Sequence, residues 1–322
     1  MFDFEFAVRS PFRVQPGLRR LAPGATHLTP LAPGSRHQRE KLAVLSSFWP
    51  QALLRRADFD AGPALDALSA HAAAEHPDAW RHDGERVEAR RLGTALEGDT
   101  VLQTAPGRFG LGDEVARCLH GLPPAWRRAA LLCLAFEKDF ALVDAAPGAH
   151  FGTVPWLAVT LPSHWAPERM LGLGLAQIHA EVPDNALLLR ATDALVRLAA
   201  GPERWERFVW NVTDQPRLHA HPERTDRERW QHTPVARAWL RSERQTFIAL
   251  PALGQALFTI QVGVVPLAEL LCTAQRASTL HDAIASMTPA VLAYRGLAPV
   301  RDALLAWLAA RAGDAGDAAG AA

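Results

Sequence analysis

Two groups of side chains in this chain carry atoms suited to catalysis or ligand capture: its histidines and one arginine-rich run. His219-Ala220-His221 places two imidazoles two residues apart. In extended chain they point to one face and supply half of a metal site. Their neighbours Pro216, Arg217, Pro222, Glu223 and Arg224 read equally well as a solvated loop. His179 stands in Gln177-Ile178-His179-Ala180-Glu181-Val182-Pro183, among apolar residues and ahead of a proline, so the spacing predicts a partly buried ring. Such a ring is either a hydrogen-bonded core residue or a ligand. Arg241-Ser242-Glu243-Arg244-Gln245-Thr246 is the densest polar cluster of the second half, read here as a helix-to-strand junction. Guanidinium groups there suit bidentate contact with a carboxylate, from the protein or from a ligand. The plain alternative is an Arg–Glu lattice pinning a helix to a sheet.

Other signatures are absent from the sequence. It holds no G-x-S-x-G elbow, no H-E-x-x-H, no C-x-x-C and no Walker loop. Gly172-Leu173-Gly174 lacks the third glycine of a dinucleotide loop and follows a helical pattern. There are 10 tryptophans against 1 tyrosine. Trp156, Trp165, Trp205, Trp210, Trp230 and Trp239 fall in the strand-rich middle, where they line a pocket for a flat ligand or simply fill a core.

Basic and acidic residues balance at 34 each, which argues against a general nucleic-acid or anionic-membrane binder. Cys118, Cys133 and Cys272 are too widely spaced for a disulfide framework or a cysteine-rich zinc site, and read as buried thiols in a reducing compartment. The start, MFDFEF, has no cationic stretch before an apolar run and is not a secretory signal. From Gln245 to Ala268 no residue is charged, long enough to span a bilayer. Pro251 and Gly254 interrupt that stretch, and Phe258, Ile260, Val262 and Val264 alternate, so it reads as two strands and a turn. The expectation is a cytoplasmic protein with no membrane segment.

The elements that must position these groups follow from periodicity. Residues 1–35, rich in Pro, Gly and Arg, are expected to wrap the surface. Helices are expected from Gln38 to Arg55, Gly62 to His76, Leu111 to Cys118 and Pro124 to Phe136, with a hairpin around Thr100 to Gly112. Phe140 to Val143, Phe151 to Leu161 and Arg207 to Val212 read as strands, Asp184 to Ala199 as a helix, and Pro234 to Arg241 as a short helix. Helices follow at Leu267 to Arg276, Thr279 to Ser286, Pro289 to Arg295 and Pro299 to Arg311. Helices, then a cluster of strands, then helices again predict an α+β fold with an antiparallel sheet covered by helices. One domain is expected over 1–312: a helical part about 36–136, a sheet region about 137–266 and C-terminal helices about 267–312. The Gly/Ala/Asp tail at 313–322 is expected to be disordered.

Several of these motifs also share a family likeness. Trp239-Leu240-Arg241-Ser242-Glu243-Arg244-Gln245-Thr246, then Leu250-Pro251 and Ala256-Leu257-Phe258-Thr259-Ile260, resembles the signature of the haem-dependent oxidative N-demethylases, described also through the haem subunit of dimethylamine monooxygenase. Pro16-Gly17-Leu18-Arg19-Arg20-Leu21, Glu137-Lys138-Asp139-Phe140-Ala141-Leu142, Leu161-Pro162-Ser163-His164-Trp165 and the Gln177–Pro183 run fit the same pattern in order, covering roughly residues 11 to 300. The chain departs from it at Glu181, where the family carries Pro, and at Trp210-Asn211, where it carries Asn-Trp. The His219/His221 segment matches no family motif.

The resemblance implies a haem b protein on a PAS-like antiparallel sheet. It implies oxidative removal of a methyl group, as formaldehyde, from a small methylated amine. Dioxygen is the oxidant, and electrons come from NAD(P)H through a separate flavin/iron–sulfur reductase. It makes His179 the expected iron ligand, with His164, His219 and His221 as competitors. Arg241 and Arg244 are the expected propionate partners, with Arg244, Gln245 and Glu243 as the expected catalytic group. A non-catalytic PAS-like haem or ligand sensor is the alternative, and a metal hydrolase built on His219 and His221 a third.

Overall fold

The computed structural model describes residues 2–108, 110–226 and 229–318, with side chains described through residue 313. Among the described residues, eleven strands form two antiparallel sheets. The first six are β1 (Leu18–Arg20), β2 (Leu53–Arg55), β3 (Trp80–Asp83), β4 (Arg86–Ala89), β5 (Thr94–Glu97) and β6 (Thr100–Gln103). The rest are β7 (Asp139–Asp144), β8 (Trp156–Ala158), β9 (Trp205–Thr213), β10 (Trp239–Leu250) and β11 (Gln255–Pro266). The main sheet runs β1-β9-β10-β11-β7-β8-β2, and β3 to β6 form a separate meander. Helices and antiparallel sheets in this grouping make the α+β class predicted above.

The centre of the main sheet is the hairpin of β10 and β11, in register from Trp239↔Pro266 to Leu250↔Gln255. It includes the uncharged stretch from Gln245 onward, folded as two strands, and reaches back to Trp239 through the charged Arg241, Glu243 and Arg244. Gly254 closes the turn at φ +61, where a Cβ would come 2.8 Å from the Ala146 methyl, so both backbone and space require glycine. No helix among the described residues is long and apolar enough to cross a membrane.

Because side chains alternate along a strand, the register sorts this sheet into two faces. One face carries Leu240, Ile248, Leu250 and Leu257 with Phe140 and Leu142 of β7. It packs against the buried helix Pro124–Ala135 at one end and the helices Ala274–Ala285 and Arg301–Ala318 at the other. The opposite face carries Phe258, Ile260 and Val262 with Ala141 and Val143. It is roofed by the short helix Leu175–Ile178 and by the amphipathic helix Ala186–Ala199, which buries Leu188 and Val196.

Both lysines of the chain are fully buried. Lys41 donates to Asp139 Oδ1 at 2.8 Å and to the Lys138 carbonyl at 2.6 Å. Asp139 also accepts the Thr160 hydroxyl and the Leu161 amide, both at 2.6 Å. This clamp ties helix Arg36–Ser47 to β7 and to the chain leaving β8. Removing one partner of such a pair costs about 3–5 kcal/mol, because the survivor is left uncompensated.

Several expectations are corrected. The helix predicted from Gln38 to Arg55 ends at Ser47; Phe48 leaves helical backbone, a second turn covers Trp49–Ala52, and β2 follows. Residues 80–103 form the four-stranded meander, whose four-residue strands are too short for a clear period. Only Trp156–Ala158 of the stretch 151–161 is strand. The helix predicted at Pro234 to Arg241 is one turn at Val235–Arg237, and Trp239 and Leu240 already pair on both sides as strand. Cys118 and Cys133 are buried as expected, but Cys272 is exposed. The last helix runs on to Ala318, so of the predicted tail only 319–322 lie outside the described residues.

Candidate functional site

The Ser-Glu-Arg-Gln-Thr run is mid-strand, not at a helix-to-strand junction, and this decides where its side chains go. Glu243 and Gln245 project from the face roofed by helix Ala186–Ala199, paired with Val209 and Arg207 of β9 and with Val262 and Ile260 of β11. Arg244 projects from the other face. There its Nε donates to Glu206 at 2.8 Å and its guanidinium reaches the Thr26 carbonyl at 3.0 Å. The expected grouping of Arg244 with Glu243 and Gln245 is therefore corrected: a period of two separates adjacent residues by the thickness of the sheet. Gln245 Nε2 donates to Glu243 Oε2 at 2.6 Å, fixing both side chains in a buried pair.

Arg241 shares the face of Glu243 but is already committed. Its guanidinium donates to the Leu218 carbonyl at 2.9 Å, the Ser163 hydroxyl at 3.3 Å and the Arg217 carbonyl. Burial draws its pKa down to about 10 against the opposing charges of Glu243 and Glu40. Arg241 thus latches the 217–218 segment to the sheet. Holding a propionate would require it to release those carbonyls, which is why the sequence-based assignment of Arg241 and Arg244 as propionate partners does not match the geometry.

The residue that sequence reading missed is Arg207. Its register opposite Gln245 puts it on the same face as Glu243. Its Nε is sealed from water without a hydrogen-bond partner, and among the described residues no ion pair holds its guanidinium. Burial lowers its pKa, with Glu243 as the only opposing charge. Val209, Asn211 and Phe247 on this face stay half-exposed although they lie on central strands, as does Arg207 itself, so this part of β9 and β10 is only partly covered. The clue in RFVWNV was the alternation: Phe208, Trp210 and Val212 make one apolar face, and Arg207 and Asn211 stand on the other.

His179 caps the helix Leu175–Ile178, which packs over the same face beside Phe258 and Val143. Its Nδ1 lies 2.7 Å from the Leu175 carbonyl, so Nδ1 carries the proton and Nε2 keeps its lone pair. No hydrogen bond to Nε2 exists among the described residues. Burial, helped by the nearby charge of Arg207, holds the ring below the usual histidine range, so it is neutral at pH 7.

The other histidines are arranged differently. His219 and His221 do stack in parallel, with ring centroids 6.2 Å apart, as their spacing predicted. His221 is spent, however: Nδ1 accepts the Glu223 amide and Nε2 donates to both Glu168 oxygens at 3.1 and 3.2 Å. His219 donates Nδ1–H to the Thr160 carbonyl at 2.8 Å and leaves Nε2 buried without a partner. The metal-hydrolase pair is thus broken, since the two rings serve separate partners. His164 sits in left-handed backbone at φ 67, with Nε2 likewise buried and unpartnered. Burial, with Arg229 and Arg241 nearby, pushes its pKa down to about 3.

Fold and site together define an α+β protein with buried polar side chains on one face of an antiparallel sheet and a neutral imidazole packed over that face. A family model described as haem-dependent oxidative N-demethylase, alpha subunit-like, matches residues 65–305, and the chain belongs to that family.

Proposed function

We propose that this chain is the haem b-binding subunit of an oxidative N-demethylase, acting on a small methylated amine with dioxygen and with electrons from NAD(P)H through a separate flavin/iron–sulfur reductase. Residues 1–312 act as one haem-binding unit on a PAS-like sheet. The observation that carries this reading is the His179 ring, neutral, held through Nδ1 by a backbone carbonyl and unpartnered at Nε2. Histidine ligands of metals are oriented in this way, the second nitrogen fixing tautomer and direction.

The rest of this face suits the group. Phe258, Ile260 and Val262 form an apolar wall. Arg207 is a half-exposed cation whose Nε is sealed without a hydrogen-bond partner among the described residues, and an anionic propionate would give it one. In this reading His179 binds the iron and Arg207 replaces Arg241 and Arg244 as the propionate partner. The haem, when bound, supplies dioxygen activation, so that one oxygen atom leaves in formaldehyde and the other in water at the expense of an electron pair from the reductase.

The chain's own residues do the remaining work. A small aliphatic amine is cationic at pH 7, and Glu243 offers it a buried carboxylate. Gln245 holds that carboxylate still with one N–H and has a second N–H to donate to a bound reactant. The wall of Phe258, Ile260 and Val262 keeps water from the reacting methyl group.

The test is an absorption spectrum of the wild type beside His179→Ala, followed by a formaldehyde assay with NADH, reductase and dimethylamine. The wild type shows an intense Soret band, the variant lacks it, and formaldehyde forms only with the wild type. Colourless wild-type protein from cells rich in haem would overturn the reading; a Soret band without formaldehyde would favour a sensor.

A further inference from the structure

We propose that His27, His71 and Glu75, on the sheet face away from His179, form a site for a divalent transition metal, with zinc the ion that best suits their donors. His71 and Glu75 are one turn apart on helix Gly62–Glu75 and so share a face of it. His27 comes from the segment after β1, and its ring centroid is 5.0 Å from that of His71. One donor atom from each of the three residues falls within a sphere where all lie within 4.8 Å of one another. Two nitrogens and one carboxylate oxygen are a common zinc set, the fourth place going to water.

The geometry is near what the ion needs. Donors bonded to zinc at tetrahedral angles stand about 3.3–3.4 Å apart, given bonds of about 2.0–2.1 Å. His27 Nδ1 is already 3.4 Å from Glu75 Oε1, and His71 Nε2 is 3.7 Å from the other oxygen, Oε2, so a small turn of the carboxylate brings one oxygen to both rings. The carboxylate is also preset, since Oε1 and Oε2 accept the amides of His27 and Leu28 at 2.8 Å each. Outer hydrogen bonds of this kind aim a carboxylate at a metal.

Two further observations point to a ligand. His71 Nε2 is sealed from water with no hydrogen-bond partner and faces the other two donors. Arg204, from the chain just before β9, puts a positive group against His27 Nδ1 at 3.2 Å, His27 Nε2 at 3.4 Å and Glu75 Oε1 at 3.3 Å. A cation therefore already balances this carboxylate. The Arg204 side chain is 42% exposed, and it gives up this contact, though not necessarily its 2.7 Å bond to the Ala25 carbonyl, when the metal takes that role. His76 is committed elsewhere, with Nε2 3.1 Å from the Leu28 carbonyl. The bound ion would staple the N-terminal segment to helix Gly62–Glu75.

The experiment uses the full chain stripped with chelator, dialysed against zinc chloride and assayed by elemental analysis, with a thermal melt of each sample. One zinc per chain is expected, with a zinc-dependent rise in Tm. His71→Ala removes a ring whose Nε2 makes no hydrogen bond among the described residues, so the fold survives, and binding weakens at least about tenfold. Arg204→Ala removes the competing cation and tightens binding, while His221→Ala, in the separate Glu168–His221–Glu223 cluster, leaves it unchanged. Wild type without zinc, or zinc retained by His71→Ala, or zinc lost in His221→Ala, would each overturn the proposal.

Discussion

His179 Nδ1 and the Leu175 carbonyl oxygen stand 2.7 Å apart, one turn of chain between them. That contact fixes the tautomer and the direction of the ring, and it depends on a helix only four residues long. The surrounding segment, from Gly174 to Val182, is held by its own turn hydrogen bonds and by the Asn185 amide, which donates to the His179 and Ala180 carbonyls at 2.8 and 3.1 Å.

If the ring supplies only its Nε2 lone pair, a free imidazole can replace it. His179→Gly is expected to be isolated without a Soret band and to regain it when haem and millimolar imidazole are added. His164→Gly, His219→Gly and His221→Gly should keep the band without rescue. Absorption spectra of the four variants check this.

Arg207 burdens the haem-free fold, because its Nε is sealed from water without a hydrogen-bond partner, a cost that an apolar side chain does not carry. Arg207→Met is expected to stabilise the haem-free chain by about 1–3 kcal/mol in urea unfolding. If Arg207 pairs a haem propionate, the same change should speed haem loss to an acceptor protein. A variant equally stable and equally retentive would remove Arg207 from the site.

The two faces of β10 predict opposite phenotypes for neighbouring residues. Glu243→Gln is expected to raise KM for the amine by about tenfold or more, the scale of one charged hydrogen bond, with a smaller change in kcat. Arg244→Met leaves Glu206 with Arg19 as its remaining cation, and should lower stability by about 1–3 kcal/mol without moving KM. Steady-state kinetics and urea melts of both proteins separate the two roles.

His164 makes stability depend on acid. The unfolded chain takes up a proton there near pH 6.5, while burial keeps the folded ring neutral down to about 3. Stability is thus full above pH 6.5 and falls as pH drops through that interval, by about 2 kcal/mol at pH 5 from this residue alone. His164→Asn tolerates the left-handed backbone and has no proton to gain. Its unfolding free energy should decline less steeply between pH 7 and pH 5, by about that amount.

Periodicity and punctuation in the sequence determined the α+β class, the β10–β11 hairpin and the helices Gly62–Glu75, Pro124–Ala135 and Ala186–Ala199. These elements are long enough for their apolar stripes to repeat, and local backbone preference agrees with burial in each. The family motifs also singled out His179 and Glu243. The short meander strands stayed hidden, because four residues give no reliable period and their pairing is set by partners in the sheet. Tertiary structure alone decided how each arginine is engaged. Arg207, Arg241 and Arg244 are chemically alike in the sequence, yet Arg241 meets backbone carbonyls, Arg244 meets Glu206, and Arg207 has its Nε sealed without a hydrogen-bond partner among the described residues. Register across β9, β10 and β11 and the course of the 217–218 loop make that distinction, and both are long-range contacts that no local pattern records.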